Sequence, residues 1–98
     1  MHETTVLTQL LGCYLHQDWA EEFDSDIAAL QAARDCEPQE HVMAGVAELD
    51  SLLAGEFSDE ELRAILVGEI GCYFNPGSTG LTWKDWLGRA RAVLLGTV

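Results

Sequence analysis

Apolar residues recur at intervals of three and four in each punctuated segment of this chain. No segment sustains the alternation of apolar and polar positions, rich in β-branched residues, that marks a half-buried strand. That property restricts the chain to helices packed on helices. Val6, Leu7, Leu10, Leu11, Tyr14 and Leu15 draw one stripe along a first helix, with Thr4 or Thr5 as its cap and fraying expected near residues 16–18. Gly12 lies inside that helix, where glycine costs about 1 kcal/mol relative to alanine. Its presence there predicts close approach of another helix.

The remaining segments are bounded by capping and turn chemistry. Residues 20–26 read as an acidic connection anchored to the core by Phe23. Asp24 or Ser25 caps a second helix over 26–36, with a thin core face of Ile27, Leu30 and Ala33. Pro38 opens a third helix that runs to residue 54 on a stripe of Val42, Val46, Leu49 and Leu53, widened by Met43 and Leu52, and Gly55 stops it. Ser58 and Glu61 have the spacing of a capping box, with Phe57 placed before it as the staple residue. Leu62, Ile65, Leu66 and Ile70 form the buried face of the fourth helix that follows. After a turn-rich loop at 75–80, Thr82 caps a fifth helix whose inner face is Trp83, Trp86, Leu87, Ala90 and Leu94, and Gly96 ends it. The expected fold is all-α, a single compact bundle of about five short helices spanning residues 1–98. A chain of 98 residues supports one modest core.

Charge is the strongest global feature. The formal net charge is −12, and it is unevenly placed: residues 1–61 carry −14, while residues 62–98 carry +2. Such a surface repels phosphate and steers basic proteins, so nucleic acid is not an expected partner. No apolar run approaches the roughly 20 residues of a membrane span. The N-terminus has no basic region followed by an apolar one, so no signal peptide is expected and the expected location is the cytoplasm. Cys13, Cys36 and Cys72 form no Cys-x-x-Cys unit and are expected as free thiols, mostly buried.

The densest chemistry lies in Tyr14-Leu15-His16-Gln17-Asp18-Trp19. His16 and Asp18, with Cys13 or His41, lack the paired spacing of a zinc site, and no base stands near Cys13 to activate it, so neither a metal, a cofactor nor a catalytic residue is expected. His16 and Asp18 read instead as a hydrogen-bonded end to the first helix. Trp19 beside the acidic run reads as a candidate binding anchor. Gly-Cys-Tyr occurs at 12–14 and again at 71–73, which suggests two helices presenting the same small and aromatic surface to the core.

The Tyr14-Leu15-His16-Gln17-Asp18-Trp19 string resembles the immunity proteins of contact-dependent growth inhibition and related polymorphic toxin systems. The likeness continues through Leu49-x-x-Leu52-Leu53, Gly71-Cys72-Tyr73-Phe74 and Leu81-Thr82-Trp83-x-x-Trp86-Leu87. Where relatives often carry a second aromatic before the histidine, this chain has Leu15. The resemblance implies a small helical cytosolic protein without catalytic activity that binds and neutralises one cognate toxin domain. It implies that the toxin is a nuclease or another enzyme acting on nucleotides; the acidic charge of this chain adds the expectation that the partner is basic. Two acidic sets are candidate contact surfaces: Asp18, Trp19, Glu21, Glu22, Asp24 and Asp26, and a second face of Glu56, Asp59, Glu60 and Glu61. The motif residues Tyr14, His16, Gln17, Asp18 and Trp19 are expected to act as scaffold, Tyr14 and His16 above all. The competing expectation is an acidic helical adaptor for a basic protein, with no toxin involved.

Overall fold

A computed structural model describes residues 4–96, which contain helices and no strand. The helices are α1 (Thr5–Tyr14), α2 (Trp19–Glu22), α3 (Asp26–Cys36), α4 (Gln39–Ala54), α5 (Asp59–Arg63) and α6 (Trp83–Leu95). α5 runs directly into a π-helical segment, Ala64–Ile70, and a 3-10 turn, Pro76–Thr79, precedes α6.

α6 is the central element. It packs on α3 and α4 and touches α5, while α1 lies across α3, α4 and the π-helical segment. The core where they meet is built from Leu7, Leu11, Leu30, Leu49, Leu66, Trp86 and Leu87, each fully buried. Full burial of a leucine contributes roughly 1.5–3 kcal/mol, so this cluster holds the helices together far more strongly than any helix holds itself.

Local capping chemistry matches the sequence expectation at three helices. Ser25 Oγ accepts the Ala28 N–H at the start of α3. Ser58 and Glu61 make both halves of the capping box, at 3.2 and 3.0 Å. Thr82 Oγ1 accepts the Asp85 N–H at 3.1 Å. α1 differs. Thr4 holds the cap position without a side-chain cap bond. Instead the Glu48 carboxylate on α4 reaches across and accepts the N–H groups of Val6 (3.3 Å) and Leu7 (2.9 Å). A carboxylate there satisfies two orphan donors and meets the positive end of the helix dipole.

Gly12 behaves as its position predicts. A β-carbon there would collide with the carbonyl oxygen of Ile70, so α1 and the end of the π-helical segment meet backbone to backbone. Gly71 then terminates that segment in the left-handed conformation, φ 81°.

Four expectations need correction. Residues 19–22 form a single helical turn rather than a plain connection, because His16 closes the preceding turn. The buried face of α3 is Asp26, Ala29, Leu30 and Ala33, with Ile27 only half-buried. The second Gly-Cys-Tyr is not helical: after Gly71 the chain is extended, and Cys72 is buried while Cys13 is exposed, so the two copies present different surfaces. Of the three free thiols, Cys13 and Cys36 are exposed and only Cys72 is buried.

Candidate functional site

The acidic turn after α1 is built around His16. Its Nδ1 accepts the Asp18 N–H at 3.0 Å, its carbonyl accepts the Trp19 N–H at 2.9 Å, and its Nε2 lies 3.3 Å from Glu22 Oε1. An Nδ1 that accepts a hydrogen bond leaves the proton on Nε2, where it faces the Glu22 carboxylate. One side chain therefore fixes both ends of the turn. Trp19 is half-buried, edge-on to Phe74 with ring centroids 5.5 Å apart. Tyr14 is half-buried and meets Phe23 at 6.3 Å. Burial raises the Tyr14 phenol above its ordinary pKa, and the Glu37 carboxylate and Cys36 thiol push it the same way. The aromatics of the turn thus face inward, and Gln17, Asp18, Glu21, Glu22 and Asp24 are exposed.

Asp26 does not belong to this surface. It is 3% exposed. Its Oδ2 accepts the indole N–H of Trp86 at 2.8 Å, and its Oδ1 lies 3.6 Å from Arg89 Nη2. The carboxylate is compensated by an indole donor and a guanidinium, which is what a buried charge requires. Its place in an acidic run disguised a core residue.

The second acidic set surrounds the start of α5. Glu56, Asp59, Glu60 and Glu61 are all exposed, but two of them also have structural partners. Asp59 Oδ1 accepts the Trp83 N–H at 2.7 Å, tying α5 to α6, and Glu61 closes the capping box. Beside this set lies a groove of about 450 Å³ lined by Asp59, Arg63, Val67, Tyr73, Phe74 and Trp83, among others. A smaller hollow of about 370 Å³ adjoins it, sharing Arg63 and Val67 and reaching Glu60, Ala64 and Gly68. The groove and Tyr73 were missed from the sequence. Their signal was a short alternation: Ile70, Cys72, Phe74 and Pro76 are buried, while Tyr73, Asn75 and Gly77 are exposed.

Charge is redistributed by the fold. Arg34 pairs with Asp35 at 3.2 Å and donates to the Val93 carbonyl, Arg89 faces Asp26, and Arg91 pairs with Asp50 at 2.6 Å. Three of the five bases are therefore held in internal ion pairs. Among the described residues Arg63 has no ion pair, and it is exposed and lines both hollows.

Burial pushes the Cys72 thiol up to about 12, which keeps it protonated and inert. Among the described residues no group of three or more His, Cys, Asp or Glu is placed to hold a metal ion, and no helix is long and apolar enough to cross a membrane.

A family model described as CdiI immunity protein matches residues 3–94. No curated protein matches the chain. Among solved structures, the chain is similar to one in the crystal structure of a CdiA-CT/CdiI complex from Y. kristensenii 33638. The identity is 29% and the TM-score 0.84, over 91% of this chain and 95% of that one.

Proposed function

The chain belongs to the CdiI immunity protein family, and on that premise we propose that it binds one cognate bacterial toxin domain stoichiometrically and neutralises it by covering a basic active site with an acidic surface. The observation that carries this reading is the family match over nearly the whole chain, joined to a net charge of −14 on residues 1–61. The toxin domain is basic and acts on nucleic acid or nucleotides, so carboxylates meet the groups it uses on phosphate. The encounter takes place in the cytoplasm, and the immunity protein contributes no catalytic residue.

Exposed carboxylates at Asp18, Glu21, Glu22 and Asp24, together with Glu56 and Glu60, raise the encounter rate with a basic partner. His16 supports this role as scaffold, because it sets the shape of the turn that carries four of those charges. Affinity in the nanomolar range corresponds to about −12 kcal/mol, which needs buried contacts beyond the steering charges.

The test is co-expression with the protein encoded immediately upstream. Growth rescue together with a one-to-one complex is the expected result. Absence of both, with each protein shown to be folded, replaces immunity with the adaptor role. Charge reversal at Glu21, Glu22 and Asp24 is expected to slow association and flatten its salt dependence. Unchanged kinetics in stopped-flow mixing remove that turn from the encounter surface.

A further inference from the structure

The turn after α1 hangs on an acceptor that can be switched off. Backbone N–H groups are mostly met by carbonyl or hydroxyl oxygens, which accept hydrogen bonds at any ordinary pH. The Asp18 N–H is met by a ring nitrogen, His16 Nδ1, at 3.0 Å. A neutral imidazole can accept there; an imidazolium cannot, because both of its nitrogens carry protons. Histidine is also the side chain whose charge changes between about pH 5 and 8. We propose that His16 is a proton-operated latch: the neutral ring holds the Asp18 backbone, and the protonated ring releases it and keeps Glu22 alone. The latch belongs to the free chain and does not depend on the immunity reading.

The two ring nitrogens face different partners. Nε2 lies 3.3 Å from Glu22 Oε1, and both side chains are open to water, at 34% and 55% exposure, so a proton can reach the ring from solvent. Nε2 already carries the proton of the neutral ring, so an added proton goes to Nδ1, where it meets the Asp18 N–H. Two donors then face each other, and the Asp18 N–H turns to solvent, as an exposed residue can. The contact with Glu22 changes in the opposite sense, into an attraction between full charges. Asp18 and Glu22 flank the ring from the turn itself. The non-helical segment after Gly71 brings the Tyr73 N–H to the Leu15 carbonyl and the Phe74 ring to Trp19, and at the end of α3 Cys36 and Glu37 face Tyr14.

The release is confined to one attachment. The Trp19 N–H donates to the His16 carbonyl at 2.9 Å, the Glu21 N–H to the Asp18 carbonyl at 3.0 Å and the Phe23 N–H to the Trp19 carbonyl at 2.9 Å. None of these acceptors titrates, so α2 persists and Trp19 stays on Phe74. What changes is the hold on Asp18 and the charge around it. Asp18, Glu21, Glu22 and Asp24 carry −4 beside a neutral ring, and the five side chains together carry −3 once the ring is charged. The acidic face is presented in full by the neutral form.

Amide exchange in the free chain, expressed as protection relative to the unstructured rate at each pH, is followed by NMR from pH 8 to pH 5 beside the His16 ring resonances. Protection at Asp18 is expected to fall about 5-fold, the worth of one hydrogen bond, with the same midpoint as the ring, while Phe23 keeps its protection. His16→Asn supplies an oxygen that accepts the N–H two residues on and does not titrate in this range, so Asp18 is expected to stay protected throughout. Protection at Asp18 that ignores the ring titration, that is lost equally in His16→Asn, or that is lost together with Phe23 overturns the latch. The wild-type titration decides by itself should His16→Asn fail to fold.

Discussion

The turn after α1 and the groove beside the π-helical segment are surfaces built in opposite ways. In the turn, backbone and imidazole hydrogen bonds fold a short acidic segment so that its aromatics point in and its carboxylates point out. In the groove, a non-helical segment holds Tyr73 out and buries Cys72 and Phe74 on either side of it. The first region gains its shape from polar contacts within eight residues. The second gains it from long-range backbone contacts to α1 and from an irregular helix. Surface charge is thus a local product of the chain, whereas the exposed ring is a product of the whole fold.

The two regions are joined by an aromatic row. Trp19 meets Phe74, Phe74 stacks on Trp86 at 5.3 Å, and Trp86 meets Trp83 edge-on at 5.8 Å. Asp26 holds the middle of that row through the Trp86 indole. Asp26→Ala is the substitution that damages both regions at once. It leaves a buried indole N–H without an acceptor and Arg89 without its carboxylate, and is expected to cost about 3 kcal/mol in denaturant unfolding. Asp26→Asn keeps an acceptor and is expected to lose less than half of that. Equal losses for the two variants assign the effect to charge rather than to the hydrogen bond.

Gly12→Ala strikes the contact between α1 and the end of the π-helical segment. The obstacle is a backbone carbonyl, which yields poorly, so a loss of about 2 kcal/mol is expected despite alanine's better helix propensity. A gain in melting temperature contradicts that backbone contact. Glu48→Ala removes the cap that α4 lends to α1 and is expected to cost about 1 kcal/mol. Amide exchange at Val6 and Leu7 is then expected to rise before exchange elsewhere in α1.

The smallest effect separates the thiols. Cys13 and Cys36 are expected to react with a thiol reagent in the native protein, and Cys72 only on unfolding. The Cys72 thiol has an ordinary pKa of 9.0 when unfolded and about 12 when folded. Above pH 9 the unfolded chain releases this proton while the folded chain keeps it. Stability that is fully present below pH 9 is therefore lost as pH rises towards 12. Cys72→Ala, compared with wild type between pH 8 and pH 10, is expected to lack that part of the decline.

Much of the fold was legible because it is written in short-range chemistry. α3 ends where its cap and the Glu37-Pro38 break place it, and the capping box at Ser58 and Glu61 forms as the spacing requires. What was hidden depends on partners far along the chain. Glu48 caps a helix more than 40 residues away. Asp26 looks like one more surface acid until α6 brings Trp86 to it. The alternation at residues 70–77 is interrupted by Gly71, Pro76 and Gly77, so it reads as loop rather than as extended chain. Of the two acidic sets, the sequence located the exposed carboxylates at residues 18–24 and 56–61, but only that interrupted alternation marked the aromatic that turns outward.

The bond between the Tyr73 N–H and the Leu15 carbonyl closes a loop that spans more than half the chain. Closing so long a loop carries an entropic cost that only the packed helices within it offset. A chain still emerging from the ribosome lacks this bond until Tyr73 is free, and lacks Trp86, on which Phe74 stacks, for longer still. The groove therefore reaches its final shape late, whereas the hydrogen bonds of the acidic turn, all within residues 16–23, do not wait for it.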